Sequence, residues 1–294
     1  MISVRNLVKS YGKVRALKGV SLEFSGGIAG LIGPNGAGKS TLIKILIGLL
    51  RQDSGEAYIM GEEAWRNRKI LRRIGVLHER PRPPGWVSGR RFLEHVCKIK
   101  EVDDLERQIK LVSEWLNLEK YLDRNISSYS SGMVQRVSIA AALVGDPELV
   151  IMDEPTANLD PRGRITLMQV LRNLKNSGTS FFISSHILPE LERVCDSVFF
   201  LSSGKVLRGG SMEELRSLGS YVLSFSGCPE LLELVRDAGE VLVRDGRILV
   251  RSRKVDHLVG CLAKYVLEGG KIPQDLELRP PTLDEIFLLL EGSV

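Results

Sequence analysis

The sequence predicts an α/β chain in which a large domain with a mainly parallel central sheet is followed by a small α+β domain. Three observations carry this reading. Short apolar runs alternate with longer stretches of helical spacing through the first two thirds of the 294 residues. The N-terminal stretch instead pairs two strand-like runs across a turn. Past about residue 218 the order becomes strand, helix, strand, strand, helix, strand.

At the N-terminus, Ile2 to Leu7 and Val20 to Phe24 read as paired strands around the turn at Tyr11-Gly12-Lys13, a small antiparallel β region. Ile28 to Ile32, Leu149 to Met152 and Ser180 to Ser184 are short, apolar and bounded by polar residues or glycine, which suits buried parallel strands. Helices are expected at Ser40 to Leu50, Gly89 to Lys100, Leu105 to Leu116, Met133 to Val144 and Pro161 to Asn176. Those between about residues 80 and 145 make a helical subdomain. A domain boundary is expected near Ser217 to Ser220, giving domains 1–218 and 219–294. Beyond it come strand Tyr221 to Phe225, helix Pro229 to Ala238, strand Glu240 to Arg244, a tight turn at Asp245-Gly246 and strand Ile248 to Arg251. Helix Val255 to Leu267, strand Lys271 to Leu278 and helix Leu283 to Leu290 complete a split βαβ module.

Gly33-Pro34-Asn35-Gly36-Ala37-Gly38-Lys39-Ser40, followed by Thr41, matches G-x-x-x-x-G-K-[ST]. Glycines let such a loop wrap a phosphate with its N–H groups inward, and the helix that follows adds its positive end. Lys39 can reach the β- and γ-phosphates, and the Ser40 hydroxyl can coordinate Mg²⁺. A strand before the loop and an apolar helix after it provide the required context. The motif predicts nucleotide binding without naming the enzyme.

Four further motifs follow in order: Tyr129-Ser130-Ser131-Gly132-Met133, then Leu149-Val150-Ile151-Met152-Asp153-Glu154-Pro155, then Ala157-Asn158-Leu159-Asp160, then Ser184-Ser185-His186. From Met1 to about Leu215 the chain resembles the ABC ATPases, with a Walker A loop, signature motif, Walker B strand with its glutamate, D-loop and switch histidine in place. The fold implied is a P-loop NTPase. Asp153, at the end of a strand beside the phosphate loop, can hold Mg²⁺ through water, and Glu154 can orient or deprotonate the attacking water. The resemblance implies that His186 contacts the γ-phosphate. It also implies that Tyr11 stacks on adenine, which is compatible with a turn aromatic packed on the β region. A second ATPase subunit is implied as well, as a homodimer. Ser130 and Gly132 of one subunit would then face the ATP of the other, and closure and opening of the pair would drive an integral membrane permease.

The signature departs from L-S-G-G-Q at Tyr129, Ser131 and Met133, so contact across a dimer depends on Ser131 keeping a negative φ. The place of the usual glutamine after strand Arg73 to Leu77 holds Glu79. This residue reads either as a third metal ligand or as a plain surface acid. Its added negative charge about 5 Å from the γ-phosphate costs about 3 kcal/mol at an effective dielectric of 20 unless Mg²⁺ or Arg80 compensates it. The stiff basic loop Arg80 to Trp86 reads as a contact for the membrane partner or its lipid, or as a solvated loop. The ending Pro280 to Gly292 resembles that of ABC-2-type exporter ATPases, and the C-terminal module reads as regulatory or dimer-stabilising.

Lys and Arg total 41 against 36 Asp and Glu, a net +5 spread along the chain, and no nucleic-acid partner is expected from it. No apolar run approaches the roughly 18 residues that span a bilayer, and Met1 to Arg5 lacks a signal-peptide layout. The expected place is cytoplasmic, peripheral on the inner face of the membrane. Four scattered cysteines read as reduced thiols. Two other readings remain: a non-transport ABC ATPase acting on DNA or ribosomes, and a nucleotide sensor without turnover. The first lacks its usual coiled-coil insertion or second cassette, and the second is opposed by the intact Lys39, Asp153, Glu154 and His186.

Overall fold

The computed structural model describes residues 1–244 and 246–292, with Arg244 by its backbone alone. The chain forms two compact units, Met1–Gly209 and Gly210–Val294.

In the first unit, strands Ile28–Ile32, Leu149–Asp153 and Ser180–Ser185 are buried along their whole length. That explains their unbroken apolar character, since a parallel strand covered on both faces has no solvent side to mark with polar residues. The six-stranded sheet runs Lys205–Ser211, Ser197–Ser202, Ile28–Ile32, Ser180–Ser185, Leu149–Asp153, Ile74–Leu77. Ile28–Ile32 pairs in parallel with Ser180–Ser185 and with Ser197–Ser202, and Leu149–Asp153 pairs in parallel with Ser180–Ser185 and with Ile74–Leu77. Ile32 sits beside Ser185 and Asp153 beside Ser184 in register. The loops leaving these three neighbouring strands therefore emerge along one edge, where ligands bind in open α/β sheets.

The antiparallel region forms as expected and is larger. Ile2–Tyr11 pairs with Val14–Phe24 and also with Ser54–Ile59, which adds Glu62–Glu63. Leu7, Leu17 and Val20 pack from it onto the buried face of the helix Lys39–Leu46, through Leu42, Ile43 and Leu46. That helix stops four residues short of the expected Leu50. Gly48 takes a left-handed φ of 72°, and a Cβ there would lie 2.7 Å from the Ala64 carbonyl oxygen, so the chain turns. The helices Gly89–Ile99, Leu105–Leu116 and Ser131–Leu143 pack together as the helical subdomain, each capped by a side chain: Ser88, Asp104 and Ser130.

The second unit has strand order Glu240–Arg244, Arg247–Ser252, Tyr221–Phe225, Glu277–Arg279, all neighbours antiparallel. It begins at Gly210, ahead of the expected residue 219, because the helix Met212–Arg216 packs on the last helix, Leu283–Glu291. The expected strand Lys271 to Leu278 shrinks to Glu277–Arg279. Asp275 takes hydrogen bonds from the Ser226 N–H and hydroxyl, and Leu276 N–H turns back to the Pro273 carbonyl, so the preceding segment is a loop. Asp245, half of the expected Asp-Gly turn, lies outside the described residues.

The last helix is pinned by a capping box at Thr282 and Glu285, and Glu285 pairs bidentately with Arg279 at 2.9 and 3.0 Å. The Arg279 bond is the largest influence on Glu285 and holds its carboxyl down at about 2, from an ordinary 4.5. A carboxyl depressed on folding adds stability above its unfolded value and loses it as pH falls toward the folded one. The melting-temperature gap between the parent and Arg279→Ala should therefore be full above pH 4.5 and close between pH 4.5 and about 2. A gap unchanged at low pH would refute the ion-pair account.

Candidate functional site

The site is built by the three strand ends. After Ile32 the chain runs into the glycine loop. Gly33 has no room for a side chain, since a Cβ there would stand 2.1 Å from the Leu201 carbonyl oxygen. Gly36 and Gly38 have φ of 81° and 109°, the left-handed region where glycine is unstrained. The turn brings the Ala37 N–H onto the Pro34 carbonyl, and the Ala37 carbonyl accepts from the Gly204 N–H. Lys39 opens the helix and folds back, its buried ammonium donating to the carbonyls of Gly33 (2.7 Å) and Pro34 (3.2 Å). The charge is thus held in the mouth of the loop by neutral dipoles.

After Asp153 the chain makes a sharp turn. Glu154 sits at φ 52°, a left-handed conformation costing a non-glycine residue roughly 1–2 kcal/mol. Backbone strain of this kind gathers at functional positions. Its N–H donates to both the carbonyl and the hydroxyl of Ser184. The same Ser184 hydroxyl donates to the Asp153 carboxylate, so one serine on the neighbouring strand positions both acids. The Glu154 carboxylate meets His186 Nδ1 at 2.8 Å. With the carboxylate ionised, Nδ1–H is the donor, which leaves Nε2 as the ring atom available to a ligand. Burial pushes the Glu154 carboxyl above the usual range, against the opposing pull of His186 and Lys39.

A cleft of about 740 Å³ opens over these groups, lined by Tyr11, Asn35, Gly36, Gly38, Lys39, Ser40, Thr41, Glu79, Glu154 and His186 among the expected residues. Ala16, Arg80, Ala157 and Asn158 complete it. Tyr11 is half exposed at the end of its strand, which suits a platform for a flat ring at the rim. Glu79 faces Arg80 at 3.7 Å, so the extra carboxylate has a counter-charge beside it. Gly33, Pro34 and Ala37 are not among the residues lining the cleft. Asp153 is buried beneath Ser184. Hard oxygen donors from Ser40 and Asp153, with Glu79 on the wall, fit a magnesium ion, which takes one or two protein oxygens and completes its shell with phosphate and water.

Ser130 and Gly132 are not among the residues lining the cleft. Ser130 caps its helix, accepting from the Met133 N–H, and Gly132 stands against the Asn158 carbonyl oxygen, 3.0 Å from where its Cβ would be. Ser131 is the first helical residue and is not among the positive-φ positions, so its replacement of glycine carries no strain. Tyr129 is explained by its hydroxyl, which donates to the Tyr121 carbonyl at 2.7 Å, above Gly89, where any Cβ would collide with it. The signature helix is tied to the D-loop by Arg136 to Asp160 (3.0 Å), and to the Walker B turn by buried Gln135, whose amide nitrogen donates to the Pro155 carbonyl. Ser184, Ala16, Ala157 and Asn158 are site residues to which the sequence assigned no role. The signal for Ser184 is its register opposite Asp153, which requires knowing that the two strands are neighbours.

A family profile described as "ABC transporter" matches residues 17–157. An uncharacterised ABC transporter ATP-binding protein of Nostoc is 40% identical over 94% of this chain and 83% of its own length. The Nod factor export ATP-binding protein I of a Rhizobium species is 34% identical, over 99% of this chain and 97% of its own. Among solved structures, a dimeric ATP-binding cassette in a post-hydrolysis state, bound to ADP and phosphate, superposes with a TM-score of 0.68. It is 25% identical and covers 72% of this chain and 99% of that one.

Proposed function

Since the chain belongs to the ABC transporter family as an ATP-binding, ATP-hydrolysing subunit, we propose that it powers export through a separate membrane permease by ATP-driven closure of a homodimer. The observation that carries this is the gathering of Lys39, Glu154 and His186 on one sheet edge, with the Glu154 carboxylate bonded to His186. Among the described residues no helix is long and apolar enough to cross a membrane; in this reading the conduit is a partner's. The Rhizobium relative named for export matches across nearly the whole chain and supports the direction.

In this reading ATP lies in the cleft with adenine against Tyr11 and its phosphates wrapped by Gly33 to Thr41. Lys39, seated on the Gly33 and Pro34 carbonyls, turns its remaining N–H toward the β- and γ-phosphates. Ser40 and Asp153, with Glu79 within reach, would hold a magnesium ion, which would supply charge neutralisation at the phosphates. Glu154 accepts a proton from the attacking water, or orients it; His186 fixes the Glu154 carboxylate through Nδ1–H, and its Nε2 donates to the γ-phosphate in the form of the ring that carries both protons. Ser130 and Gly132, at the start of their helix, supply donors to the ATP of the second subunit. That role accounts for their standing apart from the cleft of their own chain. The Arg136–Asp160 bond would carry movement of the D-loop into the helical subdomain.

Purification from native membranes tests the whole reading. The chain should copurify with a multi-spanning membrane protein that stimulates its ATPase, and association with ribosomes or DNA instead would overturn it. The Glu79 role is tested separately: Glu79→Gln should need several-fold more Mg²⁺ for half-maximal ATPase. Identical Mg²⁺ curves would reduce Glu79 to a wall residue.

A further inference from the structure

We infer that the outer edge of the C-terminal sheet, Glu240–Arg244, is a contact for a second copy of this chain, pairing antiparallel about a twofold axis at Leu242. The strand ends its sheet, with Arg247–Ser252 on one side and no further strand beyond it among the described residues. An open edge offers unpaired N–H and C=O groups and is normally blunted by proline, by a bulge or by inward-pointing charge. This one has none of these in its middle. It presents Leu242 (39% exposed) and Val243 (71% exposed), and its register with Arg247–Ser252 runs unbroken.

The order of residues names the occupant. Glu240-Val241-Leu242-Val243-Arg244 is self-complementary when reversed. With Leu242 on the axis, Val241 of one copy faces Val243 of the other, and position 240 of one falls opposite position 244 of the other. Such matching is what a twofold, isologous contact demands and an unrelated partner would have no reason to show. Packing agrees. Val241 lies on the face that packs against the domain core, and alternation puts Val243 on that same face, where its own chain leaves it uncovered.

The hydrogen-bond phase also agrees. Arg244 and Arg247 are partners in register, three positions apart in the sequence, and a pair at that separation exchanges its hydrogen bonds. Alternation then turns the backbone groups of Val241 and Val243 outward, where they meet Val243 and Val241 of the second copy. Leu242 falls at a non-hydrogen-bonded pair, its Cα about 4.5 Å from its counterpart. Two four-stranded sheets would join into one of eight. This contact needs no nucleotide, and it is separate from the closure proposed above.

A disulfide placed at the axis tests it. In a Cys261→Ser background, which removes the one half-exposed native thiol, Leu242→Cys should yield a disulfide-linked dimer on mild oxidation without nucleotide. Glu240→Cys should not, because its counterpart stands four residues away along the strand, roughly 13 Å, beyond disulfide reach. Val243→Lys should weaken the nucleotide-free dimer at least ~10-fold in sedimentation equilibrium, since it sets a charge against Val241. No crosslink at position 242, equal crosslinking at 240, or a monomeric nucleotide-free parent would each overturn the assignment.

Discussion

Glu154→Gln should bind ATP as well as the parent and hydrolyse it at least ~100-fold more slowly, with losses up to about 10⁴-fold expected for a positioned proton acceptor. The amide keeps the shape of the carboxylate, the turn and the bond to Ser184, so nothing else in the cleft has to move. It lacks only the basic oxygens. ATP should then hold the two subunits together for longer, visible as ATP-dependent dimerisation by gel filtration. A stability effect of opposite sign should accompany the loss. Burial raises the Glu154 carboxyl above its ordinary range, so the folded state binds its proton more readily than the unfolded chain does. Stability from this group is therefore complete below the unfolded value and declines as pH rises through the raised one. At neutral pH the ionised side chain works against folding, and the glutamine variant should melt no lower than the parent. Substantial turnover in the variant, measured by phosphate release, would remove Glu154 from its assigned role. Normal turnover with a raised melting point would leave it a strained but idle residue.

Much of this site was legible because its chemistry is written in consecutive residues. The glycine loop, the acid pair and the histidine each follow a short buried strand, and a strand read correctly places the residue after it on the sheet edge. What sequence could not supply was adjacency. Ser184 stands 31 positions from Asp153, and its hold on both acids exists only because their strands pair. Tyr129 looks like a defect in the signature until its hydroxyl is seen on the Tyr121 carbonyl above Gly89. Errors at element ends have the same origin. Gly48 stops a helix whose apolar spacing continues to Leu50, turning at a left-handed φ of 72° where the carbonyl of a distant residue, Ala64, leaves no room for a Cβ. The loop before Glu277 reads as a strand until Asp275 is found bonded to Ser226, 49 positions away.

Replacement of Lys39 should separate charge from geometry in the phosphate loop. Lys39→Met keeps most of the side-chain volume and removes the ammonium. Losing a hydrogen bond to a charged group is worth about 1.5–3 kcal/mol, or roughly 10- to 100-fold in ATP affinity. Turnover should fall further than affinity, because charge grows on the transferring phosphoryl as the bond breaks. Lys39→Arg should fail as well. The lysine ammonium is nearly sealed from solvent and fits between the Gly33 and Pro34 carbonyls, at 2.7 and 3.2 Å. Gly33 cannot withdraw, since it already lies against the Leu201 carbonyl. A planar guanidinium is wider and presents its donors in a fixed fork, so it cannot take the place of a compact charge there. Equilibrium titration with a fluorescent ATP analogue distinguishes the cases. If arginine restores binding to within a few-fold of the parent, the loop asks only for positive charge and the tight seat of Lys39 is incidental. If both variants lose it, the spacing between the sheet edge and the loop carbonyls is itself part of the nucleotide site.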